Sequence, residues 1–255
     1  MTTSAPPQLA ELARLRRFNL FLGTAHALSA AAMLFLSNDF TLPVTARYPD
    51  GPPGMSDPAT EVLFDLPLGP ALAVFLIMSA IAHFLVASPW GFPRYSASLE
   101  RGMNPFRWVE YAFSASWMIV LIAMLPGADE LVTLVALFGV NAAMILFGWM
   151  MELHNQTTER TDWTAFWFGS IAGAIPWIVI GVQLFGAGSG VPSFVYIIFF
   201  TLFLWFNSFA LNMALQYRGK GRWQDYLFGE RVYGWLSLSA KSLLAWQVFA
   251  NTLVG

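Results

Sequence analysis

The 255-residue sequence predicts an all-α membrane protein, a bundle of seven transmembrane helices with a cytoplasmic N-terminus and an extracellular C-terminus. Three observations carry that expectation. The composition is 57% hydrophobic and only 11% charged, which places the chain in the membrane class before any motif is read. Seven apolar stretches each approach the roughly 20 residues that cross a hydrocarbon core about 30 Å thick. Lysine and arginine also collect on one side of those stretches, which the positive-inside bias assigns to the cytoplasm.

The expected spans are 18–37, 67–88, 106–125, 131–151, 163–184, 193–217 and 232–254, with mostly short connections, so 1–255 reads as a single domain. The first follows Arg14, Arg16 and Arg17 as a signal peptide would, but its apolar run is too long for an h-region and marks a retained helix. The connection over 38–66 is rich in proline and glycine (YPDGPPGMSDP). A structureless loop of that length is uncommon, so it is expected to be ordered as a cap or to be functional, and Tyr-Pro-Asp-Gly suits the turn of a short hairpin. Asn104-Pro105 opens the third helix with a cap and a first-turn proline, and Pro126-Gly127 stops it. The fourth ends near Glu152 and His154, where solvent is expected to reach both. Pro176 interrupts the fifth, the 186–190 glycines separate it from the sixth, and the last span holds one charge, Lys241. Uniform apolarity at these lengths argues against β-barrel strands, which would be about half as long and alternate in polarity. With no cysteine, disulfide and thiolate chemistry are excluded.

Eleven of the 13 lysines and arginines fall on the inner side, Arg47 alone on the outer, and Lys241 within the membrane. The outer side carries Asp39, Asp50, Asp57, Glu61, Asp65, Asp129 and Glu130. The basic inner loops, RGKGR above all, suit an unidentified cytoplasmic signalling partner or anionic membrane lipid, and no nucleic-acid partner is expected.

Within the spans the sequence places four ionisable residues, His26, His83, Glu110 and Lys241, all between the midplane and the inner face. A charge at a helix centre costs roughly 2.5–3.5 kcal/mol on insertion scales, so Lys241 is a functional candidate by default. About 14 Å of helix separates it from Glu230 and Arg231, too far to snorkel comfortably. A lone lysine in the seventh of seven helices suggests a covalent aldehyde adduct, which is how retinal is held. Glu110 is the obvious counter-charge, since an isolated buried charge is very unfavourable. Arg107, three residues earlier, competes for the same carboxylate. Ser237 lies one turn from Lys241 and Ser114 one turn from Glu110, where hydroxyls would bridge the pair or merely serve helix packing. His26 and His83 read either as a proton-accepting cluster or as satisfied core histidines. No metal site is expected, because no ligand spacing of the HExxH kind occurs.

The strings SLSAKSLLAWQVFANTL and NPFRWVEYAFSAS, with the inverted charge topology, resemble a heliorhodopsin over the whole chain. The resemblance implies a seven-helix protein of the cell membrane that holds all-trans retinal as a protonated Schiff base. It implies a homodimer, helped by a hairpin in the first outer loop. It makes Lys241 the Schiff-base lysine, Glu110 its counterion, Ser237 a hydroxyl beside the pair, and His26, His83 and Arg107 inner polar residues. Trp108, Tyr111, Asn141, Trp177 and Phe206 match chromophore-pocket positions.

Ser237 stands where microbial rhodopsin pumps usually carry an aspartate, and Leu121 where outward proton pumps carry a second carboxylate. A transport path needs polar stations through the full membrane thickness. Here titratable groups occupy only the inner half, so the reading favours a light sensor with local proton transfer over a proton-coupled transporter or channel. No nucleophile–base pair or metal triad supports an enzyme.

Overall fold

The computed structural model describes residues 9–52, 54, 55 and 58–253; Asp57, Val254 and the first eight residues lie outside them. Helix α1 spans Leu9–Leu36, strands β1 (Thr41–Tyr48) and β2 (Ala59–Pro67) follow, and then come α2 (Leu68–Ala87), α3 (Gly91–Glu100), α4 (Pro105–Met124), α5 (Leu131–His154), α6 (Thr164–Gly186), α7 (Ser193–Arg218) and α8 (Tyr226–Val248). A π-helical turn, Phe249–Leu253, extends α8. The protein is an all-α membrane protein. Helices α1, α2, α5, α6 and α7 are each long and apolar enough to cross a bilayer. Helices α4 and α8 match them in length, 20 and 23 residues, but their mean apolarity is lowered by buried polar side chains.

Two helices begin earlier than apolarity alone suggests. Helix α1 starts at Leu9 rather than near residue 18, because Glu11, Arg14, Arg16 and Arg17 propagate a helix well although they do not belong in hydrocarbon. Helix α8 starts at Tyr226, where the Asp225 side chain accepts the Leu227 N–H at 2.9 Å as an N-cap. Helix α3 was not expected, being ten residues long and weakly apolar. It forms because Tyr95 and Leu99, one turn apart, bury against Leu15, Val86 and Leu227. Asn104 caps α4 as expected, accepting the Arg107 N–H at 3.1 Å with Pro105 in the first turn.

The 38–66 connection contains an antiparallel hairpin with a bulge between Val44 and Thr45. Its β1 strand is pinned to the α4–α5 turn: Thr45 N–H donates to the Asp129 carbonyl at 2.9 Å, and Thr45 Oγ1 lies 3.2 Å from Asp129 Oδ1. Beneath the hairpin lies an apolar core cluster that includes Leu72, Phe75 and Leu76 of α2, Ile119 and Leu121 of α4, and Leu244 and Val248 of α8.

At the opposite end, Asp162 organises the α5–α6 turn. Its Oδ1 accepts the Thr164 N–H at 2.8 Å and its Oδ2 lies 3.1 Å from His154 Nε2, and Asn155 Oδ1 accepts the Asp162 N–H at 2.7 Å. The Thr164 hydrogen bonds hold the Asp162 carboxyl down at about 2, against 3.8 ordinarily. Because its folded value is depressed, its contribution to the turn is complete above about pH 4 and is lost as pH falls toward 2. Hydrogen exchange in the first turn of α6 should rise over that window, and Asp162→Asn should abolish the pH dependence.

Candidate functional site

Two helical stripes build the site. On α8, Glu230, Tyr233, Ser237 and Lys241 recur every three or four residues and all are buried. On α4, Arg107, Trp108, Tyr111 and Ser114 are buried, with Glu110 beside them partly buried. Helix α2 adds Ser79 and His83, again one turn apart.

Lys241 and Glu110 meet. Lys241 Nζ donates to Glu110 Oε1 at 3.0 Å and to Ser237 Oγ at 2.8 Å, and it lies 4.9 Å from the centre of the Tyr111 ring. Only 3% of the Lys241 side chain and 8% of the Glu110 side chain remain exposed, so each charge depends on the other. Ser79, which the sequence reading did not select, donates to the same Glu110 oxygen at 2.6 Å. Ser114 is fully buried one turn further along α4, and its hydroxyl makes no hydrogen bond.

His26 and His83 stack with ring centres 5.6 Å apart and planes within 8°. His83 Nδ1 lies 2.8 Å from Asn19 Oδ1, whereas both ring nitrogens of fully buried His26 are without a partner. Arg107 does not compete for Glu110. Its guanidinium pairs with Glu152 at 2.6 Å and with Glu230, and packs over the Tyr233 and Trp108 rings at 3.9 and 4.4 Å.

That arrangement corrects the expectation for Glu152. Rather than facing solvent, it is 2% exposed, and it also accepts the Trp108 indole N–H at 2.6 Å and the Asn104 backbone N–H at 2.9 Å. Glu230, read as a marker of the helix end, is 5% exposed. His154 does sit at the surface, beside Asp162. The sequence contains a signal for Glu230: it precedes Lys241 by 11 residues, three helical turns, on the stripe that holds Ser237. Glu152 offers none, since its partners come from other helices.

A cavity of about 290 Å³ runs from Lys241 between α4, α5, α6 and α7. Trp108, Tyr111, Trp177, Phe206 and Ser237 line it as expected, joined by Met118, Met144, Phe203 and Phe209. Trp177 meets the Phe203 and Phe206 rings edge-on at 5.3 and 5.5 Å. Asn141 does not face this space; its Nδ2 donates to Ser116 Oγ at 3.0 Å, which ties α5 to α4. Ser114 does not line it either. The walls are mainly apolar and aromatic, with one amine and few polar groups, as in pockets for a largely hydrophobic ligand. A long apolar aldehyde fits the donor set: the amine supplies the attachment point and the aromatic walls the contact surface.

Gly148 also lines the cavity, where a Cβ would lie 2.5 Å from the Trp108 ring. Gly148→Ala should push that indole from its place, cost about 1–3 kcal/mol of stability through overpacking, and lower the thermal midpoint. A midpoint within error of wild type would show that the ring yields freely.

The heliorhodopsin family model matches residues 15–253. No curated protein matches the chain.

Proposed function

The chain belongs to the heliorhodopsin family, whose members are retinal-binding photoreceptors of rhodopsin type, and we propose that Lys241 holds all-trans retinal through a protonated Schiff base with Glu110 as counterion. The observation that carries this reading is the buried Lys241–Glu110 ion pair at one end of an aromatic cavity. When bound, retinal supplies visible absorption and a light-driven isomerisation. The protein's own groups do the rest. Glu110 provides the countercharge, Ser79 fixes its Oε1, and Ser237 holds the Lys241 nitrogen from the other side. Displacing that nitrogen from Glu110 removes the electrostatic match and favours proton transfer toward the inner polar cluster that includes His26, His83 and Arg107. The ion pair is then the bistable element, and the inner helix ends carry the readout.

In the bilayer, all seven long helices cross, with the α3 end cytoplasmic and the hairpin end outside, following the lysine and arginine bias. The exposed Val62, Leu63 and Phe64 of β2 support a homodimer built partly on the hairpin, placed in the cell membrane with a signalling partner at the basic inner loops. We assign no enzymatic turnover.

Sensing is favoured over pumping because the core cluster under the hairpin is built of apolar side chains and the polar pairs nearest it, Asn141–Ser116 and Thr201–Gln247, do not titrate. Purified protein mixed with all-trans retinal should develop a visible band that hydroxylamine bleaches. Voltage-clamped cells expressing it should show no sustained photocurrent. A sustained current would replace the sensor reading with the transport one.

A further inference from the structure

At the α3 end of the bundle, buried carboxylates outnumber buried cations. Arg107 faces both Glu152 and Glu230, so the network carries one excess negative charge when both acids are ionised. Uptake of one proton cancels that excess, so the network is able to accept one.

The two acids are not equivalent. Glu152 Oε1 accepts from Arg107 at 2.6 Å and faces the Tyr226 hydroxyl at 3.4 Å, while its Oε2 accepts the Asn104 and Trp108 N–H groups. Glu230 accepts from Arg107 at Oε1 and from Asn104 Nδ2 at Oε2, 2.6 Å away. With one donor on each oxygen, Glu230 has lone pairs to spare.

Glu230 is also connected to the Lys241–Glu110 pair. A second cavity of about 50 Å³ is bounded by Glu230, Arg107 and Asn104 together with Glu110, His83 and Asn19. A water needs only about 10–15 Å³ of such space and two to four polar partners, and this cavity supplies both. The histidines are poorer termini. His26 does not line the cavity, and as a cation it would be buried without an acceptor. His83 lines it, but its Nδ1 is engaged with Asn19.

We propose that Glu230 is the proton store of the photocycle, reached from the Lys241–Glu110 pair through this cavity. The proposal rests on the reading that light drives a proton inward. The N–H bond at the Lys241 nitrogen breaks, an O–H bond forms on Glu230, and the thermal return reverses both with no change of oxidation state. Arg107 and Glu152 are left as a balanced pair. The charged and titratable groups around Glu230 include Arg107, Glu110 and Tyr111 of α4, Glu152 of α5, His83 of α2, Tyr95 of α3, and Tyr226 and Tyr233 of α8.

The test is light-minus-dark infrared difference spectroscopy on the retinal-loaded protein, in H₂O and D₂O. Wild type should gain a protonated-carboxyl band that shifts in D₂O, rising as the visible band moves to the blue. Glu230→Gln should lose that band while Glu152→Gln retains it. Glu230→Asp, a milder change should Glu230→Gln fail to fold, should move its frequency. A carboxyl band unaltered in the Glu230 variants, or a wild type that shows none, overturns the proposal. A protein with no visible band in the dark would instead sink the photoreceptor reading, so the two failures are distinguishable.

Discussion

Lys241→Ala protein mixed with all-trans retinal should develop no visible band, whereas wild type treated identically should absorb well to the red of free retinal. The effect is expected to be complete, because Lys241 is the only primary amine among the described residues that line the large cavity and a covalent attachment has no partial substitute. Misfolding must be separated from loss of the attachment point. Removing one partner of a buried ion pair leaves the other charge uncompensated, at about 3–5 kcal/mol. Lys241→Ala combined with Glu110→Gln removes both charges. The double variant should recover much of the lost thermal stability and still form no band. A red-shifted band in Lys241→Ala would sink the attachment assignment outright.

Glu110→Gln should keep a band but change it. The amide preserves shape and can still accept from Ser79, so the cavity stays formed, while the countercharge 3.0 Å from Lys241 Nζ disappears. Without that carboxylate the cation at the Lys241 nitrogen is less stable. The pH at which the visible band is lost should therefore fall, by about 1–3 units, the range expected for one close opposite charge. The absorption maximum should move as well. Ser79→Ala should produce a smaller shift in the same direction, since it removes one hydrogen bond and not the charge. If neither band position nor titration changes in Glu110→Gln, Glu110 is not the counterion and another acid must be sought.

The Lys241–Glu110 pairing was legible in the chain because a charge deep in an apolar segment demands a partner and few partners exist. The cap at Asn104 and Pro105 was legible for a similarly local reason. Ser79 was not, although it sits one turn from His83, because serines in membrane helices more often serve packing or bond their own backbone, as Ser79 also does to the Phe75 carbonyl at 3.0 Å. Glu152 was misplaced because helix-end acids usually face water. Arg107, Asn104 and Trp108 of α4, brought against it across the bundle, reverse that.

Asn141 shows the converse failure. The family resemblance placed it at a chromophore-pocket position, but the tertiary structure turns it to Ser116 as an interhelical tie. Periodicity also hid α3, whose short apolar stripe is stable only against α1, α2 and α8.

What the sequence determined alone was which segments are long and apolar, which of their ends carry the basic residues, and that one buried amine needs one buried acid. These follow from transfer free energies and helical period, which are properties of a single chain segment. The tertiary structure decided which polar groups converge: Ser79 on Glu110, and Arg107 between two carboxylates rather than beside its own neighbour on α4. Side chains on different helices meet through packing angles and register that no single segment specifies, so those contacts exist only once the bundle has closed.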